Sequence, residues 1–242
     1  MKKLVFILGL ILLFSCSSDD GAVDQTMDPV DNEPPPSDGG NPASNFVPCD
    51  NGMAGQYPCS GYDLLGQIFL STFNATSAND IWGWTDSTTG HEYALIGLNN
   101  GTAFIDITDT ENLVYIGKLP TATNPSTWRD IKVYQDHAFI GSEASGHGMQ
   151  VFDLTRLRNI ANPPVQFTAD TRYTGFGNSH NIVINEETGY AYAVGTATND
   201  PFNGGAHFIN IQDPKNPVLD GGYGAGGYTH DAQAVSYTHL RA

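Results

Sequence analysis

The sequence predicts an all-β chain built from one repeated four-stranded unit, and three observations predict it. First, a short pattern returns at near-constant spacing: Asn79-Asp80-Ile81, Arg129-Asp130-Ile131, His180-Asn181-Ile182 and His230-Asp231-Ala232, with steps of 50, 51 and 50 residues measured on the middle position. A fixed period of this size is the signature of stacked supersecondary units. Second, short β-branched and aromatic runs alternate with Gly, Asn and Asp turns inside each period, which is how antiparallel hairpins are written. Third, no stretch sustains a helical period. Four strands per unit fits the blade of a β-propeller. About three complete blades precede the C-terminus, with the start of a fourth, and propellers close with four to eight. The expectation is therefore a partial propeller over residues 49–234, truncated at its C-terminus.

The elements follow in order. Unit one reads as strands at Asp80 to Asp86, His91 to Leu98, Thr102 to Ile107 and Leu113 to Leu119, separated by Thr-Thr-Gly and Asn-Asn-Gly turns. Unit two repeats this as RDIKVYQD, HAFIGSE, MQVFDL and PVQFTAD, and unit three as HNIVINEE, YAYAVGT, AHFINI and PVLDGGY. Glycines give a second register: Gly97, Gly141 and Gly195 close the second strand, and Gly101, Gly148 and Gly205 open the third. Insertions fall between these anchors, in Ser142 to His147 and Thr196 to Gly204. Insertions confined to one side of a repeat map to loops on one face, often the binding face.

The ends read differently. Lys2 and Lys3 precede an apolar run from Leu4 to Phe14, and Leu13-Phe14-Ser15-Cys16 has the shape of a lipobox. The run is too short to span a bilayer, so residues 1–15 are expected to be a lipoprotein signal peptide whose removal leaves a lipidated Cys16. Ser17-Ser18-Asp19-Asp20 resembles an acidic tag that sends some Gram-negative lipoproteins to the outer cell surface. Residues 17–48 hold seven acidic residues, no basic one, and Pro34-Pro35-Pro36. A segment so poor in apolar surface cannot offset its chain entropy, so residues 16–48 are expected to form a lipidated, disordered tether. At the other end, residues 235–242 (VSYTHLRA) break the style of the units. They can be encoded by GTC TCT TAT ACA CAT CTC CGA GCC, which resembles a library-preparation adaptor read in frame, so an assembly artefact is expected there.

Cys49 and Cys59 flank a turn-rich loop, and in an exported chain two such thiols favour a disulfide. Ten Lys and Arg stand against 26 Asp and Glu, for a formal net charge of -16. There is no Lys or Arg between Lys3 and Lys118. Such a surface repels nucleic acid and anionic lipid, and argues against a nucleic-acid partner.

The strings WGWTD, TTGHEYALIGLNNGTAFIDITD, WRDIKVYQDHAFIGSEASGHGMQVFDL, SHNIVINEETGYAYAVGT and GGYTHDAQ resemble the choice-of-anchor B family, whose members carry LVIVD-type propeller repeats. The resemblance covers roughly residues 49–234. It implies a secreted or surface protein held by an N-terminal lipid or a C-terminal sorting signal, and a propeller longer than these units. It implies no catalytic set.

In a propeller the first strand of each blade lines the central channel, so residues near its start can converge. Asp80, Asp130, His180, Asn181, His230 and Asp231 are then candidates for one metal or ligand cluster, with Glu143 and His147 on a neighbouring loop. Histidine with carboxylates suits a divalent transition metal, and Asp, Asn and Glu oxygens alone suit calcium. A repeated position also serves the fold, as His and Asp hydrogen-bonding pairs do within WD-type blades. Trp82, Trp84 and Trp128 are expected to pack between blades, with sugar stacking as the other use of such rings. No nucleophile elbow, P-loop or His-Glu-x-x-His motif is present. The expected function is a surface-displayed binding or adhesion module without a defined reaction, anchored by lipid to the outer membrane and facing a polysaccharide or a surface protein. The alternative is a metal-dependent hydrolase or lactonase-like propeller with a cation in its channel.

Overall fold

The computed structural model describes residues 46–236. The expected signal peptide, Cys16, most of the tether and residues 237–242 lie outside the described residues. The described chain opens with a small hairpin, β1 (Met53–Ala54) and β2 (Tyr57–Pro58), closed by a Cys49–Cys59 disulfide whose Cα atoms are 5.9 Å apart. A 3-10 turn at Leu70–Phe73 follows. Among the described residues there is no α-helix, and no helix long and apolar enough to cross a membrane.

Three sheets succeed one another. The first is built from β3 (Ala78–Thr85), β4 (Glu92–Leu98), β5 (Gly101–Asp106) and β6 (Val114–Pro120), antiparallel in chain order. The second holds β7 (Arg129–Tyr134), β8 (His137–Ser142) and β9 (Met149–Asp153). Next come a short β10 (Val165–Gln166) and β11 (Thr171–Tyr173), of which β11 completes the second sheet beside β9. The third sheet is β12 (Asn181–Asn185), β13 (Tyr190–Val194), β14 (Ala206–Asn210) and β15 (Val218–Tyr223). The chain is thus all-β, as its alternation predicts, and each sheet is open.

One predicted strand is corrected. PVQFTAD does not form the outer strand of the second unit; its Val165–Gln166 segment pairs in parallel with β6 of the first sheet, and Thr171–Tyr173 takes the outer position. The reason lies in β6. Gly117 has no side chain, and a Cβ there would run into the Val165 carbonyl, so the chain lies down on that edge. Phe167, whose N–H donates to Lys118 O at 2.8 Å, then swings into the core against Phe104 and Phe152. A 3-10 turn at Leu154–Leu157, N-capped by the Asp153 side chain, supplies the chain length for this detour.

Period-two alternation decides how the sheets stack. Odd positions of β4, Tyr93 and Leu95, join Phe104, Ile131, Ile140 and Phe152 in a core between the first and second sheets. Phe139 and Val151 point the other way and meet Ile182, Ala191, Ala193 and Ile209 between the second and third. The outer face of the first sheet, Ala94, Leu98 and Ile105, is covered by Phe73. Phe104 and Phe152 stack with centroids 4.7 Å apart, a pairing worth about 0.5–1.5 kcal/mol beyond the area it buries.

The glycine register has a packing cause. A side chain at Gly101, Gly148 or Gly205 would strike the carbonyl of Leu119, Tyr173 or Tyr223 on the neighbouring fourth strand of the same unit. Each of these glycines therefore lets the fourth strand close on the third.

Candidate functional site

The repeated polar position is a staple between successive sheets. Asp80 Oδ2 accepts from the Ile131 N–H at 2.8 Å, and Asp130 Oδ2 accepts from the Ile182 N–H at 2.6 Å. Each carboxylate therefore holds the backbone of the next repeat's pattern, about one period on. Asn79 Nδ2 donates to Arg129 O at 2.7 Å, and Asn181 Nδ2 donates to His230 O at 3.2 Å. The bonds run from one copy of the pattern to the next, whereas a WD-type pair bonds within one blade. The residue before the fourth copy is held by a backbone bond, Gly195 N–H donating to Thr229 O at 2.5 Å. Asp231 turns back onto its own chain and accepts from Ala232 N–H at 2.8 Å.

The staples bring the first strands side by side along one open cleft of about 410 Å³. Asp130, Asn181 and Asp231 line it, with Trp82, Lys132 and Glu186. Lys132 Nζ sits 2.6 Å from Asp130 Oδ1 and 4.6 Å from the centre of the Trp82 ring, a cation–π arrangement. Burial pushes the Asp130 carboxyl up, while Lys132 and the Ile182 N–H pull against that shift.

A second group lies at the entrances to the same strands. His180 Nδ1 stands 2.6 Å from Glu143 Oε1, and the His180 and His230 rings are 4.2 Å apart. Trp128 flanks His180 and Tyr228 flanks His230.

The eight candidates do not come together as one donor set. Asp80 and Asp130 are engaged by backbone N–H groups, and Glu143, His180 and His230 gather apart from them. His147 leaves the group altogether. It is fully buried, its Nδ1–H donates to Gly148 O at 3.0 Å, and its Nε2 accepts from Arg129 Nη1 at 3.0 Å. Burial, with Arg129 opposing protonation as well, pushes its imidazole down to about 4. A neutral ring facing a buried guanidinium is a packing element and not a loop ligand. Among the described residues no group of three or more His, Cys, Asp or Glu side chains is arranged to hold a metal ion.

Several residues of consequence were not singled out as site candidates. Arg129 is 1 % exposed, and its Nε–H donates to Leu98 O at 3.0 Å. Burial pushes it down to about 10. Its place in the repeated pattern, where His180 and His230 stand in later copies, was the available signal. Of the three tryptophans only Trp84 packs between sheets, donating from Nε1 to Asp136 Oδ1 at 3.0 Å; Trp82 and Trp128 are exposed. His207, which follows Gly204-Gly205-Ala206, is buried with Nε2 2.7 Å from Asp200 Oδ2 and pins the 196–204 insertion.

No protein-family model matches the chain, and no curated protein matches it. The functional reading therefore rests on the residues and their geometry.

Proposed function

We propose that the chain is a lipid-anchored, surface-displayed binding module whose three sheets are blades of a β-propeller of the choice-of-anchor B type. Cys16 would carry the anchor to the outer membrane, and the acidic tether would hold the module away from it. The partner class is a polysaccharide or another surface protein.

The supporting observation is the use made of the repeat. Asn79, Asp80, Asp130 and Asn181 of the repeated pattern bond to the backbone of the next copy, and the first strands of successive units lie along a solvent-facing cleft. Asp130 and Lys132, which face that cleft, are tied to one another. A fixed, mixed polar and aromatic surface of this kind suits recognition.

The test uses the full chain made in a Gram-negative host. Retention on immobilised polysaccharides and on intact cells would be measured beside hydrolysis of ester and lactone substrates, with calcium, zinc or chelator added. Retention unaffected by chelator, with Cys16→Ala released from the membrane fraction, is the expected result. Metal-dependent turnover of any ester or lactone would replace this reading with the hydrolase alternative.

A further inference from the structure

Four rings stand in a row across the entrances to successive first strands. Trp128 is 50 % exposed and Tyr228 is 52 % exposed, although this chain buries Phe104, Phe139 and Phe152 completely. Between these two lie the imidazoles of His180 and His230. The centroid steps along the row are 6.1, 4.2 and 6.4 Å, with interplanar angles of 62, 43 and 55°. Single exposed aromatics are ordinary on protein surfaces. Four contiguous rings are not, and these come from three copies of the repeat, set in register by the staples.

The polar groups of the row are also arranged. Glu143 Oε1 accepts from His180 Nδ1–H at 2.6 Å, which fixes the ring and leaves Nε2 on its other edge. The Glu143 side chain is 35 % exposed, so the carboxylate remains reachable from solvent. Lysine and arginine are missing from the row, since the guanidinium of Arg129 turns inward to Leu98 O and His147. On a chain of net charge -16, the row disfavours a polyanion. Flat π faces beside a carboxylate and imidazole nitrogens match a ligand with an apolar C–H face and a rim of hydroxyl groups. That is the chemistry of a pyranose ring.

We propose that Trp128, His180, His230 and Tyr228, with Glu143, form a platform for a neutral polysaccharide. The proposal rests on the binding-module reading above and names its ligand class.

The test is affinity electrophoresis of the full chain in native gels containing galactomannan, xyloglucan, laminarin or dextran, followed by titration with oligosaccharides of whichever polymer retards it. Trp128→Ala and Tyr228→Ala should each weaken binding about three- to tenfold, the range expected for one aromatic contact, and Trp128→Phe should recover most of the loss. Tyr62→Ala removes an aromatic that is 83 % exposed and outside the row, and should bind as the parent does. Urea midpoints of the variants check that each is folded. No retardation by any of the four polymers, or equal binding by the parent and the Trp128→Ala/Tyr228→Ala double variant, overturns the proposal. Retention on cells that survives the double variant would sink the glycan platform and leave the binding module standing. Loss of all retention by the parent protein would sink both.

Discussion

Replacing Asp130 by alanine tests whether the repeated carboxylate is a staple. The Ile182 N–H that it receives belongs to a fully buried residue, and the bond is 2.6 Å long. Hydrogen bonds to charged groups contribute about 1.5–3 kcal/mol, and a buried donor left without an acceptor costs about 1–3 kcal/mol. The ion pair with Lys132 adds little, because the lysine side chain is 21 % exposed and pairs reaching solvent are worth about 0–1 kcal/mol. The carboxylate also carries its own desolvation cost, which offsets part of the gain. The expected loss is about 2–3 kcal/mol, or a fall in Tm of about 4–12 °C for a domain of this size. Asp130→Asn keeps an oxygen for the Ile182 N–H and should stay within about 1 kcal/mol of the parent. Urea unfolding followed by tryptophan fluorescence reads both. If Asp130→Ala unfolds at the parent midpoint, the staple carries no load and the repeated position needs another explanation.

Three other outcomes follow from buried or constrained groups. The His147 pKa is pushed down to about 4 in the fold against an ordinary 6.5, so between those values the unfolded chain binds a proton that the folded chain refuses. Stability should therefore fall as pH drops from 6.5 toward 4, by up to about 3 kcal/mol, and His147→Gln should flatten that slope in urea titrations across the window. Arg158 beside fully buried Asp86, donating at 2.6 and 2.7 Å, holds the carboxyl far below the usual range. That contribution is present above the ordinary carboxylate value of 3.8 and is lost as pH falls below it; Asp86→Ala should cost about 1–3 kcal/mol at neutral pH by thermal unfolding. Reducing Cys49–Cys59, ten residues apart in sequence, should release about 2–3 kcal/mol of loop constraint. Because that hairpin lies apart from the three sheets, limited proteolysis should show new cleavage within residues 50–58 while the main unfolding transition stays in place.

The strand order within each unit was legible because its signals are local. Alternation in HEYALIGL and HAFIGSE places Leu95 and Ile140 on one face and Ala94 and Phe139 on the other. The turn residues Asn-Asn-Gly and Thr-Gly end the strands where expected. PVQFTAD misled because it alternates as a strand does; its partner was decided by an open edge beside Gly117 in an earlier unit. The candidate site was legible as a set of addresses. Asp80, Asp130, His180, Asn181 and His230 do mark the junctions between units, but what each side chain does there is set by which backbone group the neighbouring sheet presents.

The sequence by itself determined the all-β class, the period, the register of the glycines and the pairing of Cys49 with Cys59, because each depends on neighbours a few residues apart or on a spacing that can be counted. Only the tertiary structure decided that Asp80 and Asp130 bond to Ile131 and Ile182, that His147 is buried against Arg129, and that Trp128, His180, His230 and Tyr228 form one row. The His147–Arg129 contact joins residues 18 apart, and the staples and the row join copies about 50 positions apart through the angle at which one sheet packs on the next. That angle is settled by the buried faces of both sheets together, so no single segment of the chain encodes it.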